Sequence, residues 1–198
     1  IHLQEQGCHN INFVTPSHVI AQILEALPAA IEMGLNVPLV YNCGGYERTS
    51  ALKLLDGVVD IYMPDFKFWD SPVAEGLCNA PDYRERACSA LREMHRQVGD
   101  LEINAAGVAE RGLLVRHLVM PGGMAGTASV LQFLAEGISR STYVNVMDQY
   151  HPCGEAFGKP NLGRRITHRE YEEALDAAGQ AGLWRLDARQ KYWMVQEE

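Results

Sequence analysis

The sequence lacks the marks of several protein classes. No run approaches the roughly 18 consecutive apolar residues of a membrane-spanning helix, and no secretory signal pattern stands at its start. Lysine and arginine number 17 against 25 aspartates and glutamates, which gives a net charge of −8 and no basic cluster for nucleic acid. We therefore expect a soluble, cytoplasmic protein with neither a nucleic-acid nor a membrane partner.

Cysteine is scarce and irregularly spaced. The five cysteines form no C-x-x-C pair, and an odd number does not suit a secreted disulfide framework. Cys8-His9 and His151-Pro152-Cys153 contain soft metal ligands, but their spacing matches no zinc motif. Glycine pairs follow Asn42 and Pro121, yet neither continues as G-x-G-x-x-G or as a P-loop, which excludes a Rossmann or Walker assignment.

What the sequence does contain is a series of short apolar runs. Apolar residues make up 47% and charged residues 21%, as in ordinary globular domains. Near-continuous apolar runs favour strands that are buried on both faces of a parallel sheet. The predicted strands are Ile11–Pro16, Val37–Asn42, Val59–Phe66, Gly112–Pro121 and Thr142–Tyr150. Their ends are 24 to 29 residues apart, except for one gap of 55 residues with room for an extra helix and an excursion.

Helical patterns lie between these runs. Apolar stripes predict helices after Ser17, around Leu52 and around Leu131. A capping box begins the last helix at Thr167 and Gly182 could end it. This alternation predicts an α/β barrel or a doubly wound sheet in one domain, 1–198. Residues 1–153 would form the βα units and 154–198 a C-terminal loop, helix and tail, with apolar anchoring of the 184–193 segment favoured.

Polar residues gather where the predicted strands end, which is the functional edge of either architecture. They are Thr15, Asn42, Asp65, Lys67, Arg116, His117, Asp148, Gln149, Tyr150 and His151. Residues two apart on a strand share a face. Asp65 and Lys67 can therefore enter the site together, as a ligand-binding pair or as a structural ion pair.

The same alternation separates the residues of the fourth predicted strand. Arg116 and Leu118 share one face, and His117 points the other way, where a satisfied core histidine is favoured. His151 lies beyond its strand, and both a ligand-facing and a solvent-exposed position stay open.

Several of these segments together resemble the radical SAM superfamily. The segments are LQEQGCHNINFVTPSHV, PLVYNCGGYE, LLDGVVDIYMPDFKFWD, EMHRQVGDL, GLLVRHLVMPGG and TYVNVMDQYHPC. The resemblance is to an uncharacterised branch related to pyruvate formate-lyase activating enzyme, and it implies a partial (βα) barrel. It also implies reductive cleavage of S-adenosylmethionine at a [4Fe-4S] cluster, which gives a 5′-deoxyadenosyl radical for hydrogen abstraction.

The resemblance also implies site residues and partners. By position, the cofactor-binding residues would be Thr15, Asn42, Asp65, Lys67, Arg116, Leu118 and His151, with His151 near the ribose. Thr15 stands in Val-Thr-Pro, where the family often has Gly-Gly-Glu. An activating-enzyme role would involve a glycyl-radical partner, and an electron donor such as flavodoxin or ferredoxin. The substrate, whether small molecule or protein, and the catalytic residues are left open.

One family motif is missing. The family holds its cluster through C-x3-C-x2-C after the first strand, and this sequence has no such spacing. Since the chain also begins at Ile1 with what reads as the end of a helix, we expect the first strand and the cysteine loop to lie upstream. The fragment alone would then be inactive and hold no metal.

Two alternatives stay open. One is a cluster-less barrel that acts as a ligand- or partner-binding module. The other is a metal-dependent hydrolase whose Asp65, Asp148, His117 and His151 meet at one centre.

Overall fold

The computed structural model describes residues 1–187, so the part of the predicted tail beyond residue 187 lies outside the described residues. In this range no helix is long and apolar enough to span a membrane. The elements in chain order are α1 (His2–Glu5), β1 (Ile11–Val14), α2 (Ile20–Glu32), β2 (Leu39–Cys43), α3 (Thr49–Leu52), β3 (Ile61–Pro64), α4 (Ser71–Cys78), α5 (Tyr83–Val98), β4 (Glu102–Ile103), β5 (Ala109–Leu118), α6 (Thr127–Gly137), β6 (Tyr143–Met147) and α7 (His168–Ala181).

The residues fall into two compact units. The first contains Ile1–Pro64 and Glu85–Leu114, and the second contains Asp65–Arg84 and the residues from Val115 onward. All five predicted strands are present as β1, β2, β3, β5 and β6, and the α/β class is confirmed.

The first unit is built on a parallel sheet. Strand β1 pairs with β2, β2 with β3, and β3 with the beginning of β5, all in parallel. The parallel sheet predicted from the apolar runs is therefore confirmed. Its core includes the rings of Tyr41 and Tyr62, whose centroids lie 5.7 Å apart. The fully buried Tyr62 hydroxyl donates a hydrogen bond to Oε1 of Gln97 at 2.6 Å.

The long gap between β3 and β5 holds more than one extra helix. It contains α4, α5 and the two-residue strand β4, which pairs antiparallel with the start of β5. Strand β5 consequently begins at Ala109, earlier than the predicted Gly112, because this hairpin extends it. The side chain of Asn104 accepts hydrogen bonds from the amides of Ala106 and Val108, which closes the hairpin turn.

The second unit contains the end of β5, strand β6 and helices α4, α6 and α7. Strand β6 pairs with β5, and after α7 the chain returns to bridge Leu186 with Val144 in parallel. Trp184, at the start of this return, is 70% exposed, so the predicted anchoring of the tail is wrong at this residue. Its ring instead lies against the Arg185 guanidinium, which also contacts Tyr143.

Glu170, in the first turn of α7, fastens three parts of the second unit. The predicted capping box is confirmed, with the Thr167 hydroxyl accepting from the Glu170 amide and the Glu170 carboxylate accepting from the Thr167 amide. The same carboxylate accepts from the Gly122 amide at 2.7 Å and from both terminal nitrogens of Arg164. These donors, Arg164 first among them, lower the pKa of Glu170 well below its ordinary value.

Candidate functional site

A cavity of about 770 Å³ opens in the second unit where β3, β5 and β6 run out. This volume lies within the range of about 300–1,000 Å³ that is usual for small-molecule sites. Five of the seven residues predicted to bind a cofactor line it, namely Asp65, Lys67, Arg116, Leu118 and His151. The other lining residues are Phe68, Met120, Met147, Gln149 and Tyr150.

Asp65 forms an ion pair with each of two cations in this cavity. Its Oδ2 lies 2.6 Å from Lys67 Nζ, and its Oδ1 lies 2.6 Å from Nη2 and 2.7 Å from Nε of Arg116. The Asp65 side chain is only 17% exposed, while those of Arg116 and Lys67 are 26% and 44% exposed. One negative and two positive charges leave the trio with a net charge of +1, and Lys67 is its most accessible member.

Methionine, leucine and phenylalanine side chains supply the apolar part of the cavity, and most of them were not predicted. Met120 continues the face of β5 that carries Arg116 and Leu118, and Met147 lies on the same alternation as Gln149 and His151. The two-residue period that placed Leu118 could thus have found both methionines. Phe68 breaks this alternation beside Lys67, and no sequence signal points to it.

Residues just after β6 form one wall of the cavity. Gln149, Tyr150 and His151 also line a neighbouring cavity of about 360 Å³ at the start of α7. The Tyr150 hydroxyl donates to the Leu162 carbonyl at 2.9 Å, which ties this wall to the loop before α7. The His151 side chain is exposed and lines both cavities. The exposed position is thus confirmed, and a contact with a ligand stays a prediction.

His117 lies on the opposite face of β5 and is fully buried. Its Nδ1 is 2.7 Å from the Phe66 carbonyl oxygen and its Nε2 is 2.9 Å from Oγ1 of Thr127. Burial lowers its pKa to about 4, so the ring is neutral near pH 7. The prediction of a satisfied core histidine is confirmed.

Thr15 and Asn42 belong to the first unit and do not line this cavity. They contact each other, since the Thr15 amide donates to the Asn42 carbonyl at 2.7 Å. Thr15 has φ 52° and ψ 51°, a left-handed conformation that is strained for a β-branched residue and doubly so before a proline. Backbone strain of this kind is concentrated at functional sites, so Thr15 remains a candidate site residue although it does not line this cavity.

The cysteines do not form a cluster site. Cys8, Cys78 and Cys153 are exposed, Cys88 is half-buried and Cys43 is buried, and no disulfide joins any two of these five described residues. Among residues 1–187, no three histidine, cysteine, aspartate or glutamate side chains are grouped so as to hold a metal ion. These residues therefore fit neither an iron–sulfur cluster nor the metal centre that the hydrolase alternative requires.

Comparisons with known proteins give a relative in sequence and a solved structure with a similar fold. No protein-family model matches the chain. An uncharacterized protein of Methanocaldococcus jannaschii is 32% identical over 177 residues, which are 88% of this chain and 47% of that protein. The chain thus spans about half the length of this curated relative.

A solved structure shares the fold. A domain of pyruvate-formate lyase-activating enzyme from Bacteroides vulgatus superimposes with a TM-score of 0.61 at 12% identity, and the match covers 90% of this chain and 96% of that domain. At this level of identity the likeness concerns the fold, which is the mixed α/β fold of an activating-enzyme domain.

Proposed function

We propose that the cavity around Asp65 binds S-adenosylmethionine, and that the chain is the cofactor-binding body of a radical SAM enzyme with an activating-enzyme-like role. The observation that carries this proposal is the convergence of Asp65, Lys67, Arg116, Leu118 and His151, five residues separated by up to 86 positions, on one cavity. The fold shared with an activating-enzyme domain supports it.

The chemistry of the lining suits this ligand. S-adenosylmethionine presents a flat adenine, ribose hydroxyls and a zwitterionic methionine end. Leu118, Met120 and Met147 offer apolar surface to the adenine, and the polarizable thioethers adapt well to a ring. Lys67 offers a cation for a carboxylate, while Asp65 and His151 offer hydrogen-bond partners for hydroxyl groups. The same apolar surface excludes water from the bound ligand.

In such an enzyme, the iron–sulfur cluster would supply one electron to cleave bound S-adenosylmethionine, and the resulting radical chemistry would remove a hydrogen atom from a substrate. The chain's own contribution is to bind and orient the ligand, because its cysteines do not converge on a cluster site. We assign the cluster ligands to residues outside these 198, which agrees with the greater length of the Methanocaldococcus relative. A partial barrel, a cytoplasmic location, a glycyl-radical partner and a flavodoxin or ferredoxin donor belong to the same proposal.

Ligand binding to purified protein tests the site without the cluster. Isothermal titration with S-adenosylmethionine, and separately with 5′-deoxyadenosine, should give saturable binding with a Kd below about 1 mM. Lys67→Met and Asp65→Asn should each raise the Kd about tenfold, because each removes a charged partner in the cavity. Lys53→Met removes an exposed lysine of the first unit and should leave binding unchanged. Absence of binding by the wild-type protein, or an equal loss in Lys53→Met, would overturn the proposal.

The scattered cysteines favour one competing function, a cluster-less module that binds a ligand or a partner protein. Anaerobic reconstitution of the full-length protein with iron and sulfide separates the two. About four irons per chain, together with release of 5′-deoxyadenosine from added S-adenosylmethionine in the presence of dithionite as the electron donor, support the enzyme. Ligand binding without iron uptake supports the module.

A further inference from the structure

The segment Asp65–Phe66–Lys67 carries two side chains of the cavity but is not part of a regular strand. Strand β3 ends at Pro64, and within residues 1–187 the ladder contact of the segment is a single bridge between Asp65 and Arg116. A chain segment beyond a strand end has few fixed partners, so the position of its side chains depends on what else holds its backbone.

Both peptide groups of this segment are nevertheless fully hydrogen-bonded. In the first, the Asp65 carbonyl accepts from the Tyr83 hydroxyl at 3.1 Å and the Phe66 amide donates to the Arg116 carbonyl at 2.9 Å. In the second, the Phe66 carbonyl lies 2.7 Å from His117 Nδ1 and the Lys67 amide donates to the Tyr83 hydroxyl at 2.8 Å. One tyrosine hydroxyl thus acts as donor to one peptide and acceptor from the next.

The tautomer of His117 follows from its partners. A carbonyl oxygen only accepts, so Nδ1 must carry the proton that is donated to Phe66. In the neutral ring Nε2 is then an acceptor, and it takes the hydroxyl proton of Thr127. The imidazole therefore has one fixed orientation and no spare hydrogen-bonding capacity.

Tyr83 and His117 are themselves rigidly held. Tyr83 is 3% exposed, and its ring packs edge-on against Phe66 and Phe68 at centroid distances of 6.1 and 5.9 Å. His117 is fully buried. Neither side chain lines the cavity, so they act on a ligand only through neighbours, which are the backbone they hold and, for Tyr83, also the ring of Phe68. A tyrosine-to-phenylalanine change keeps the ring contact and isolates the backbone route.

We propose that Tyr83 and His117 are positioning residues that fix the backbone of Asp65–Phe66–Lys67, and with it the Asp65 and Lys67 side chains of the binding cavity. The identity of the ligand in this proposal rests on the proposed function, but the positioning role does not. Since Asp65 pairs with both Lys67 and Arg116, a shift of this backbone would displace all three charges together.

The test compares two buried tyrosines by nuclear magnetic resonance. Tyr83→Phe keeps the ring and its aromatic contacts but removes the hydroxyl. Tyr62→Phe is the matched control, because Tyr62 is equally buried and loses one hydroxyl bond, to Gln97 in the first unit. In Tyr83→Phe the Lys67 amide and the Arg116 Nε–H should exchange with solvent about tenfold faster, whereas Tyr62→Phe should leave both rates unchanged.

Ligand affinity provides the second readout. The Kd for S-adenosylmethionine should rise about fivefold to tenfold in Tyr83→Phe and stay within about twofold in Tyr62→Phe. His117→Asn keeps a side-chain donor for the Phe66 carbonyl and should bind nearly as the wild type does, while His117→Leu should match Tyr83→Phe. Rescue by asparagine is not expected of a residue that only fills the core. If His117→Leu does not fold, the two tyrosine variants decide the question.

The outcomes separate the two proposals. Unchanged exchange at Lys67 and Arg116 in Tyr83→Phe, or equal changes in the two tyrosine variants, would overturn the positioning role. If the exchange rates respond as expected but the wild-type protein binds no S-adenosylmethionine, the positioning role is supported and the proposed ligand is wrong.

Discussion

The two ion pairs of Asp65 should contribute unequally to stability. Arg116 contacts Oδ1 through two nitrogens and is 26% exposed, whereas Lys67 contacts Oδ2 through one atom and is 44% exposed. Solvent screens a pair that is exposed to this degree, so we expect about 0.5 kcal/mol of coupling between Asp65 and Lys67. The contact with Arg116, in which two nitrogens donate to the one oxygen Oδ1, is better shielded and should contribute about 1.5 kcal/mol.

Double-mutant cycles measure both coupling energies, that of Asp65 with Arg116 and that of Asp65 with Lys67. Asp65→Asn is combined with Arg116→Gln in one cycle and with Lys67→Gln in the other, and the free energy of unfolding is obtained from urea titrations at pH 7. The pair Arg169–Glu173 on α7 is the control, because its N···O distance is 2.8 Å but both side chains are highly exposed. Its coupling should be no larger than that of Lys67.

Salt dependence gives an independent check. At about 1 M NaCl the Debye length is about 3 Å. Salt at this concentration should remove most of the coupling energy between Asp65 and Lys67 and leave most of that between Asp65 and Arg116. Equal couplings for Arg116 and Lys67, or an equal decrease of both in salt, would refute the reasoning that burial sets their strength. The comparison is valid only while the urea slope stays constant across the variants.

Three further predictions concern close packing at a glycine, helix propensity and the pH dependence of stability. Gly126→Ala would place a Cβ 2.6 Å from the Trp69 Cβ at a residue with φ +67°, so thermal or urea unfolding should show a loss of about 2–3 kcal/mol. Gly179→Ala, on the exposed side of α7 with no neighbouring atom within 4 Å, should instead add about 0.5–1 kcal/mol. The folded-state pKa of His117, about 4, lies below its ordinary value, so the unfolded chain takes up the proton first as the pH falls. Wild-type stability should therefore decrease relative to His117→Asn between about pH 6.5 and pH 4, by up to about 3 kcal/mol, and parallel pH profiles would contradict this.

Local patterns predicted the elements well where a single period dominates. The apolar runs gave the parallel strands, and the Thr167 capping box gave the start of α7. The hairpin of β4 was not predicted because β4 has only two residues, too few to show a period, although Asn104 before Gly107 is a turn signal that could have revealed it.

The residues of the candidate site that lie on or directly after a strand were predictable from the alternation of side chains along that strand. Asp65 and Lys67 share a face, as do Arg116 and Leu118, and all four line the cavity. Polar residues that follow three of the predicted strands line the cavity within the second unit, whereas Thr15 and Asn42 belong to the first unit and do not line it.

The backbone contacts of the site were not predictable. Tyr83 and His117 meet the 65–67 segment across 16 to 51 residues of sequence. No short-range period records such contacts, and a single sequence gives no other sign of them. The strained backbone of Thr15 is equally invisible, because threonine before proline ordinarily predicts an extended chain.

The Glu170 carboxylate has a consequence for how the second unit opens. It is the common acceptor for the turn after β5, through Gly122, for the loop before α7, through Arg164, and for the first turn of α7 itself. Because all three segments share this acceptor, we expect them to fluctuate as one cooperative block rather than fray independently. The Glu170 carboxylate would thereby determine how large a segment takes part in local unfolding around the first turn of α7.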